Sequence, residues 1–336
     1  MRVFWISVFH AHGVCDAGRI RFCLVLQGTH IISPSWYPLA DAGRLAAAIL
    51  VLPRWSPGCD SLVPYTAGCA VALIGLADDT GVKLNNGRSG AANGPDAFRL
   101  ALAKYGVADV LDTATGKQAT LPKVADVGNI VPGGSLAETH DRVTVVAKAC
   151  IAAGLLPVGI GGGHDLTFPL VRAAAEMLSV RRGVYIDPHL DVRPTEGSGM
   201  PFRALIEQCG VERIVNVGAE TLVNSAEHTR WFLDHGGIIT QDLSPQKALV
   251  QAGNGPKFVS LDLDCLDASC APGVSALNPN GLSVRELAAF ALAAGADPSV
   301  VCFDIMELNP AHDEQGRTAR AAAHLFLRFL LGLARR

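Results

Sequence analysis

Three short stretches carry acidic and imidazole side chains at spacings that could hold metal ions. They are Leu155–Asp165 (LLPVGIGGGHD), Gly183–Arg193 (GVYIDPHLDVR) and Phe258–Asp267 (FVSLDLDCLD). Between them they supply His164, Asp187, His189, Asp191, Asp262 and Asp264. Four carboxylates neutralise two divalent cations, and two imidazoles add nitrogen donors. An oxygen-rich set with some imidazole suits Mn2+, whereas a thiolate set would favour zinc. Two such ions can hold an ionised water at neutral pH and polarise a substrate, so the chemistry expected is hydrolysis. Without cations, so many clustered carboxylates would repel one another and take up protons.

Each stretch begins as an apolar run and ends in its polar residues, the pattern of a buried strand with ligands at its end. In open α/β sheets, ligands bind outside the carboxyl ends of the strands, so distant stretches converge by topology. A fourth run, VVCFDIMELNP at 300–310, ends in the same way and brings Asp304 and Glu307. In Asp187-x-His189-x-Asp191 and Asp262-x-Asp264, a strand continuing through the motif would set alternate residues on one side.

Taken singly, these motifs are weak: a DxHxD occurs in solvated loops, and a GGGH in tight turns. Their joint occurrence, each after a strand, carries the metal assignment. GIGGGH at 159–164 also resembles the start of a dinucleotide fingerprint. The third glycine of that pattern is missing, because His164 stands there.

The wider chain has the pattern these strands need. Strand-like runs occur at 70–76, 108–111, 123–127, 156–160, 183–187, 213–217, 237–240, 257–262 and 299–304. Helix-like runs fill the gaps, at 95–106, 135–153, 166–178, 201–209, 222–235, 283–294 and 316–333. Alternating strand and helix predict an α/β fold, three-layer α/β/α with a mostly parallel central sheet. Several strands lack polar alternation, as expected when both sheet faces are covered. Residues 1–68 lack clear periodicity and are set apart as an irregular N-terminal extension of unknown role. Residues 69–336 form the single expected catalytic domain.

Composition narrows the class further. The chain has 336 residues, 49% apolar and 18% charged, with net charge −3. It is globular, and with no basic stripe it is not expected to bind nucleic acid. No apolar run reaches the roughly 18 residues needed to span a bilayer. VFWISVF near the start lacks a small-residue cleavage site and does not predict a signal peptide. Nine cysteines, an odd count with no CxxC pair, fit a reducing cytoplasm better than a disulfide framework.

From about residue 70 to 335 the chain resembles the ureohydrolase superfamily of arginases, agmatinases and formimidoylglutamases, manganese enzymes of three-layer α/β/α fold. Gly161–His164 is similar to the GGxH motif, Asp187/His189/Asp191 to DxHxD, and Ser260/Asp262/Asp264/Asp267 to SxDxDxxD. The resemblance implies two Mn2+ per subunit. His164 and Asp191 would hold one, His189 and Asp264 the other, and Asp187 and Asp262 would bridge them.

Within the superfamily, formimidoylglutamase is resembled most. GGGHD stands where arginases and agmatinases usually have GGDH. SGMPFRAL at 198–205, GVKLNNGRSGAANGPDAFR at 81–99 and FDIMELNPAHDEQGRTARAAA at 303–323 are similar to its segments. Phe202 occupies the position of the arginase histidine shuttle, which argues against arginase. Pro188 replaces the usual small residue of DAHxD and restricts Asp187 to extended geometry.

The implied reaction is hydrolysis of N-formimidoyl-L-glutamate to L-glutamate and formamide by a hydroxide held between the metals, a step of histidine degradation. Glu307 would pair with the amidinium, and Asp264 is a candidate proton carrier to the leaving amine. The two substrate carboxylates call for arginines, and Arg88, Arg193 and Arg203 are the candidates. The partner is thus a small amidine or guanidine, and relatives suggest a homo-oligomer. Agmatinase or another urea-releasing guanidino-acid hydrolase is the alternative, ahead of a non-catalytic metal-binding relative. His140, without motif context, is read as a surface or packing residue.

Overall fold

The computed structural model describes residues 66, 68–105 and 109–336, and the backbone of three short strands before them. In chain order the strands are β1 Leu24–Leu26, β2 Thr29–Ser33, β3 Ile49–Val51, β4 Cys69–Leu76, β5 Asp109–Asp112, β6 Lys117–Thr120 and β7 Lys123–Ile130. They continue with β8 Leu156–Gly161, β9 Arg182–Ile186, β10 Arg213–Val217, β11 Gly237–Thr240, β12 Lys257–Asp262 and β13 Val300–Met306.

The central sheet runs β1-β2-β7-β4-β8-β13-β12-β9-β10-β11, with β3 also paired to β7. From β7 to β11 all pairings are parallel. β1 and β2 join antiparallel at one edge. Part of the segment set apart as an extension therefore contributes backbone to the sheet, through β2 and β3 against β7. The rest of residues 1–65, VFWISVF included, lies outside the described residues, as does Ala108 of the strand expected at 108–111.

The sheet is covered on both faces, and the alternation along β4 shows it. Val71 and Leu73 enter one core while Ala72, Ile74 and Leu76 enter the other, as the two-residue period of a strand requires. The first core is roofed by helices Gly94–Leu102, Val284–Ala296 and Arg317–Leu333, and the second by Leu136–Ala152, Thr167–Leu178 and Pro201–Cys209. This is the three-layer α/β/α arrangement expected.

Local signals place the helix ends. Ser135 caps Leu136–Ala152 through a bond from the Glu138 N–H, and Ser283 with Glu286 forms a capping box. Proline stands in the first turn of Gly94–Leu102, Pro201–Cys209 and Pro245–Gln251, where its missing N–H costs nothing. The Gly-rich stretch between β4 and Gly94–Leu102 contains one short helix, Thr80–Leu84, and the turn Ala91–Asn93. Pro245–Gln251 was also not legible as a helix. Among the described residues no helix is long and apolar enough to cross a membrane. The described cysteines 69, 150, 209, 265, 270 and 302 are free thiols.

Candidate metal centre

Four adjacent strands, β8, β13, β12 and β9, form the middle of the sheet. The four motif stretches are the carboxyl ends of these strands, so sheet order brings His164, Glu307, Asp262 and Asp187 to one rim. β8 ends at Gly161, and the chain turns sharply: the Gly162 N–H donates to Leu76 O at 2.9 Å and Gly163 N–H to Asp78 O at 3.0 Å. A Cβ on Gly162 would lie 2.0 Å from the Asp78 carbonyl oxygen. Only glycine permits this approach, and it delivers His164 to the rim.

His164 is 1% exposed. Its Nδ1 lies 3.1 Å from Asp187 Oδ2, 2.9 Å from Asp191 Oδ2 and 3.0 Å from Asp262 Oδ2. The ligand atoms of these four residues all lie within 4.8 Å of one another. His164 Nδ1 and Asp187 Oδ2 are buried without a hydrogen-bond partner. Buried polar atoms are nearly always satisfied, and a divalent cation satisfies these. The second imidazole stands beside this set, His189 Nδ1 lying 3.2 Å from Asp187 Oδ1. Asp187 thus turns one oxygen to each histidine, the disposition a bridging carboxylate needs. Asp264 adjoins Asp262, and its oxygens accept from Ser275 Oγ and the Ala276 N–H, each at 3.2 Å.

The proposed ligands do not arrive by strand alternation, and that expectation is corrected. β9 ends at Ile186 and β12 at Asp262. At each end an aspartate folds the chain on itself: Asp187 Oδ1 accepts from the His189 N–H and Asp262 Oδ1 from the Asp264 N–H, both at 2.7 Å. Such Asx turns compete successfully with the strand because the side chain replaces a ladder partner. Asp191 then sits at φ +49. Pro188 fits this turn, its carbonyl accepting from the Glu220 N–H at 2.9 Å and Asn224 Nδ2 at 2.7 Å.

Charge explains why such a cluster needs cations. Burial, and next the Asp187 carboxylate, pushes Asp262 up to about 6, and burial with Asp262 raises Asp264 well above the carboxylate range. Burial and Asp187 also raise Asp191. Burial would lower both histidines, but the facing carboxylates outweigh it and raise His164 well above its usual value and His189 to about 10. The protein alone therefore gathers protons to offset its own negative charge. Bound cations would take over that task and invert the local logic.

A row of side chains orients His164. Ser260 on β12 pairs in register with Asp304 on β13. Ser260 Oγ donates to Asp304 Oδ1 at 2.5 Å and lies 3.0 Å from His164 Nε2. This fixes Nε2 and leaves Nδ1 for the cluster, the outer-shell support that metal-ligating histidines commonly have. We expect Ser260→Ala to weaken metal affinity by roughly 10–100-fold, measured by titrating the metal-free protein; wild-type affinity would remove Ser260 from this role.

Glu307 closes the rim. It has φ +66, a backbone state rare for a side-chain-bearing residue. Its N–H donates to Gly162 O at 2.9 Å, and its Oε1 accepts from the His164 N–H at 2.7 Å. Its Oε2 is buried without a partner. Burial, then Asp262, raises this carboxyl well above its usual range.

The arginines are placed differently. Arg88 Nη2 donates to the carbonyls of Pro272 at 2.9 Å and Val274, the segment that carries Ser275 and Ala276 to Asp264. Arg203 pairs with Glu207 at 2.9 Å and lies over the Trp231 ring at 4.5 Å. Arg193 is exposed, with Nη1 3.2 Å from Asn85 Oδ1. Arg193 and Arg203 line one cavity of about 230 Å³ whose walls include none of the six proposed ligands. Phe202 is fully buried, stacked on Tyr185 at 3.6 Å and edge-on to His164 at 5.3 Å. Sequence reasoning missed Asn216 near the end of β10 and Ser275 and Asn224 on loops, which support the rim with no motif spacing. Asn216 Nδ2 holds Asp187 O at 3.1 Å, and Asn224 Oδ1 holds the Leu190 N–H at 2.8 Å.

An acid-rich ligand cluster at the carboxyl edge of a parallel, helix-covered sheet defines a hydrolase scaffold built around metal. The chain belongs to the arginase family, whose family model, described as Arginase family, matches residues 69–332. The formimidoylglutamase of Rhodococcus jostii is 30% identical over 306 residues, covering 82% of this chain and 90% of that protein. The formimidoylglutamase of Halobacterium salinarum is 35% identical over 267 residues, 73% of this chain and 83% of its own length. The crystal structure of Trypanosoma cruzi formiminoglutamase with Mn2+ superposes with a TM-score of 0.73 at 32% identity, covering 80% of this chain and 94% of that one.

Proposed function

We propose that the protein is a manganese-dependent formimidoylglutamase, hydrolysing N-formimidoyl-L-glutamate to L-glutamate and formamide in histidine breakdown in the cytoplasm. The observation that carries this reading is His164 Nδ1 facing three carboxylates at 2.9–3.1 Å with no other partner. His164 and Asp191 would hold one Mn2+, His189 and Asp264 the other, with Asp187 and Asp262 shared. The ions, when bound, make water a nucleophile at neutral pH and stabilise developing negative charge.

The chain's own groups orient the substrate. Glu307 is clamped at both its N–H and its Oε1, which leaves Oε2 free to accept an amidinium N–H. A charge-assisted bond there fixes the formimidoyl carbon over the cluster. Asp264, held by Ser275 and Ala276, is the residue we assign to proton delivery to the departing amine. Arg193 has the exposure to meet a substrate carboxylate. Arg88 and Arg203, our other two candidates for that role, would first have to release their present partners.

A manganese-loaded activity panel tests the reading. Formimidoylglutamate should yield glutamate and formamide without urea, whereas urea from agmatine or arginine would replace this assignment. Glu307→Gln should keep its metal yet lose roughly 10–100-fold in kcat/KM, the worth of one hydrogen bond to a charged group. Unchanged turnover would remove Glu307 from substrate orientation.

A further inference from the structure

His140 lies outside every motif, yet it is 5% exposed and its Nε2 is 2.9 Å from Asp165 Oδ2. Asp165 is 1% exposed and follows the ligand His164 directly. Its second oxygen, Oδ1, has no hydrogen-bond partner. It packs instead against two glycines: a Cβ on Gly81 would lie 1.9 Å from Oδ1, and one on Gly163 would lie 2.6 Å away. Holding a carboxylate there with a single side-chain bond costs folding free energy. Leucine-sized apolar packing would be the more stable choice. What the carboxylate does supply is direction, because a short bond to a ring on another helix fixes one rotamer.

We propose that His140 and Asp165 form a positioning pair that sets the metal affinity of His164. Asp165 occupies the turn His164–Leu166, so its side-chain rotamer and the path of the His164 backbone are determined together. His140 enters from the helix Leu136–Ala152, whose Ser135 cap and packing on Thr167–Leu178 make it a rigid support. Its ring is held edge-on by Phe168 at 5.6 Å. The carboxylate is then wedged beneath the helix Thr80–Leu84, where Gly81 O also accepts the Ser198 N–H at 2.9 Å. Three contacts therefore determine the placement of His164: Glu307 on its backbone N–H, Ser260 on the ring Nε2, and this pair on the turn that follows. Metal sites need their ligands held to about half an ångström, and supporting residues provide that. The inference rests on the metal reading of the cluster, and the test separates the two.

Mn2+ binding to the metal-free full-length protein, followed by the electron paramagnetic resonance signal of free Mn2+, is the measurement. His140→Ala should weaken binding by roughly 10–100-fold. His140 lines the cavity of about 230 Å³, so truncation opens into existing space rather than into a packed core. His140→Gln, whose amide nitrogen reaches the position of Nε2, should restore nearly all of the affinity. His140→Ala removes the side-chain partner of a buried carboxylate and should lower the metal-free unfolding midpoint, whereas His140→Gln, which keeps a donor, should hold it near the wild-type value. Wild-type affinity in His140→Ala, or a Gln variant as weak as the Ala variant, would overturn the pair's role. A wild-type chain that binds no Mn2+ would instead overturn the metal reading itself.

Discussion

Asp262→Asn is expected to strip the protein of metal and turnover together. The substitution is clean by design of the site. Asn can still accept the Asp264 N–H that Asp262 Oδ1 accepts at 2.7 Å, so the turn survives. What disappears is one negative charge and a ligand oxygen 3.0 Å from His164 Nδ1. Metal assistance is worth several kcal/mol in the transition state, so activity should fall by at least about a thousandfold. Metal content after gel filtration and initial rates on formimidoylglutamate give the two readouts. Full metal with full turnover would show that Asp262 does not join the two halves of the cluster.

The largest expected change in stability lies away from the cluster. Arg99 is 3% exposed and Asp126 fully buried. Arg99 Nε and Nη2 donate to the two Asp126 oxygens, each at 2.8 Å, and Nη1 donates to Asn129. Asp126 also accepts the Gly128 N–H at 3.0 Å. This fork joins the helix Gly94–Leu102 to β7. Arg99→Met removes the guanidinium that makes both of these bonds to Asp126 and should cost about 3–5 kcal/mol. The urea midpoint should drop while the slope stays constant. Adding Asp126→Leu should regain much of the loss, because an apolar pair of similar volume replaces a buried ion pair at little cost. A loss under about 1 kcal/mol in the single variant would mean that Asp126 is satisfied without Arg99.

The convergence of the motif residues on one rim, and the sheet that gathers them, were legible because each motif follows a strand whose burial writes itself as an apolar run. β8, β9, β12 and β13 could be read without knowing that they are neighbours. The three-layer class followed from helices filling the gaps. The turns were not legible. DxHxD and DxD carry the two-residue spacing of a strand, but their first aspartates bond to the second following N–H and end the strand there. Spacing cannot distinguish these cases. His140 was invisible for a different reason, since its partner is 25 positions away and helical periodicity explains its burial equally well. The arginines show the converse: guanidinium chemistry fits a dicarboxylate substrate, yet Arg203 is engaged by Glu207 and Trp231. Long side chains choose among many partners, and sequence does not rank them.

The aspartate turns at the ends of β9 and β12 bear on how the centre comes into being. Asp187 and Asp262 are each held by a bond to their own following backbone, a restraint that does not itself depend on an ion. The vessel is therefore shaped in advance of its contents. Loading should be a local event, tens of residues of sheet and helix remaining as they were, and a chelator should empty the protein without unravelling it.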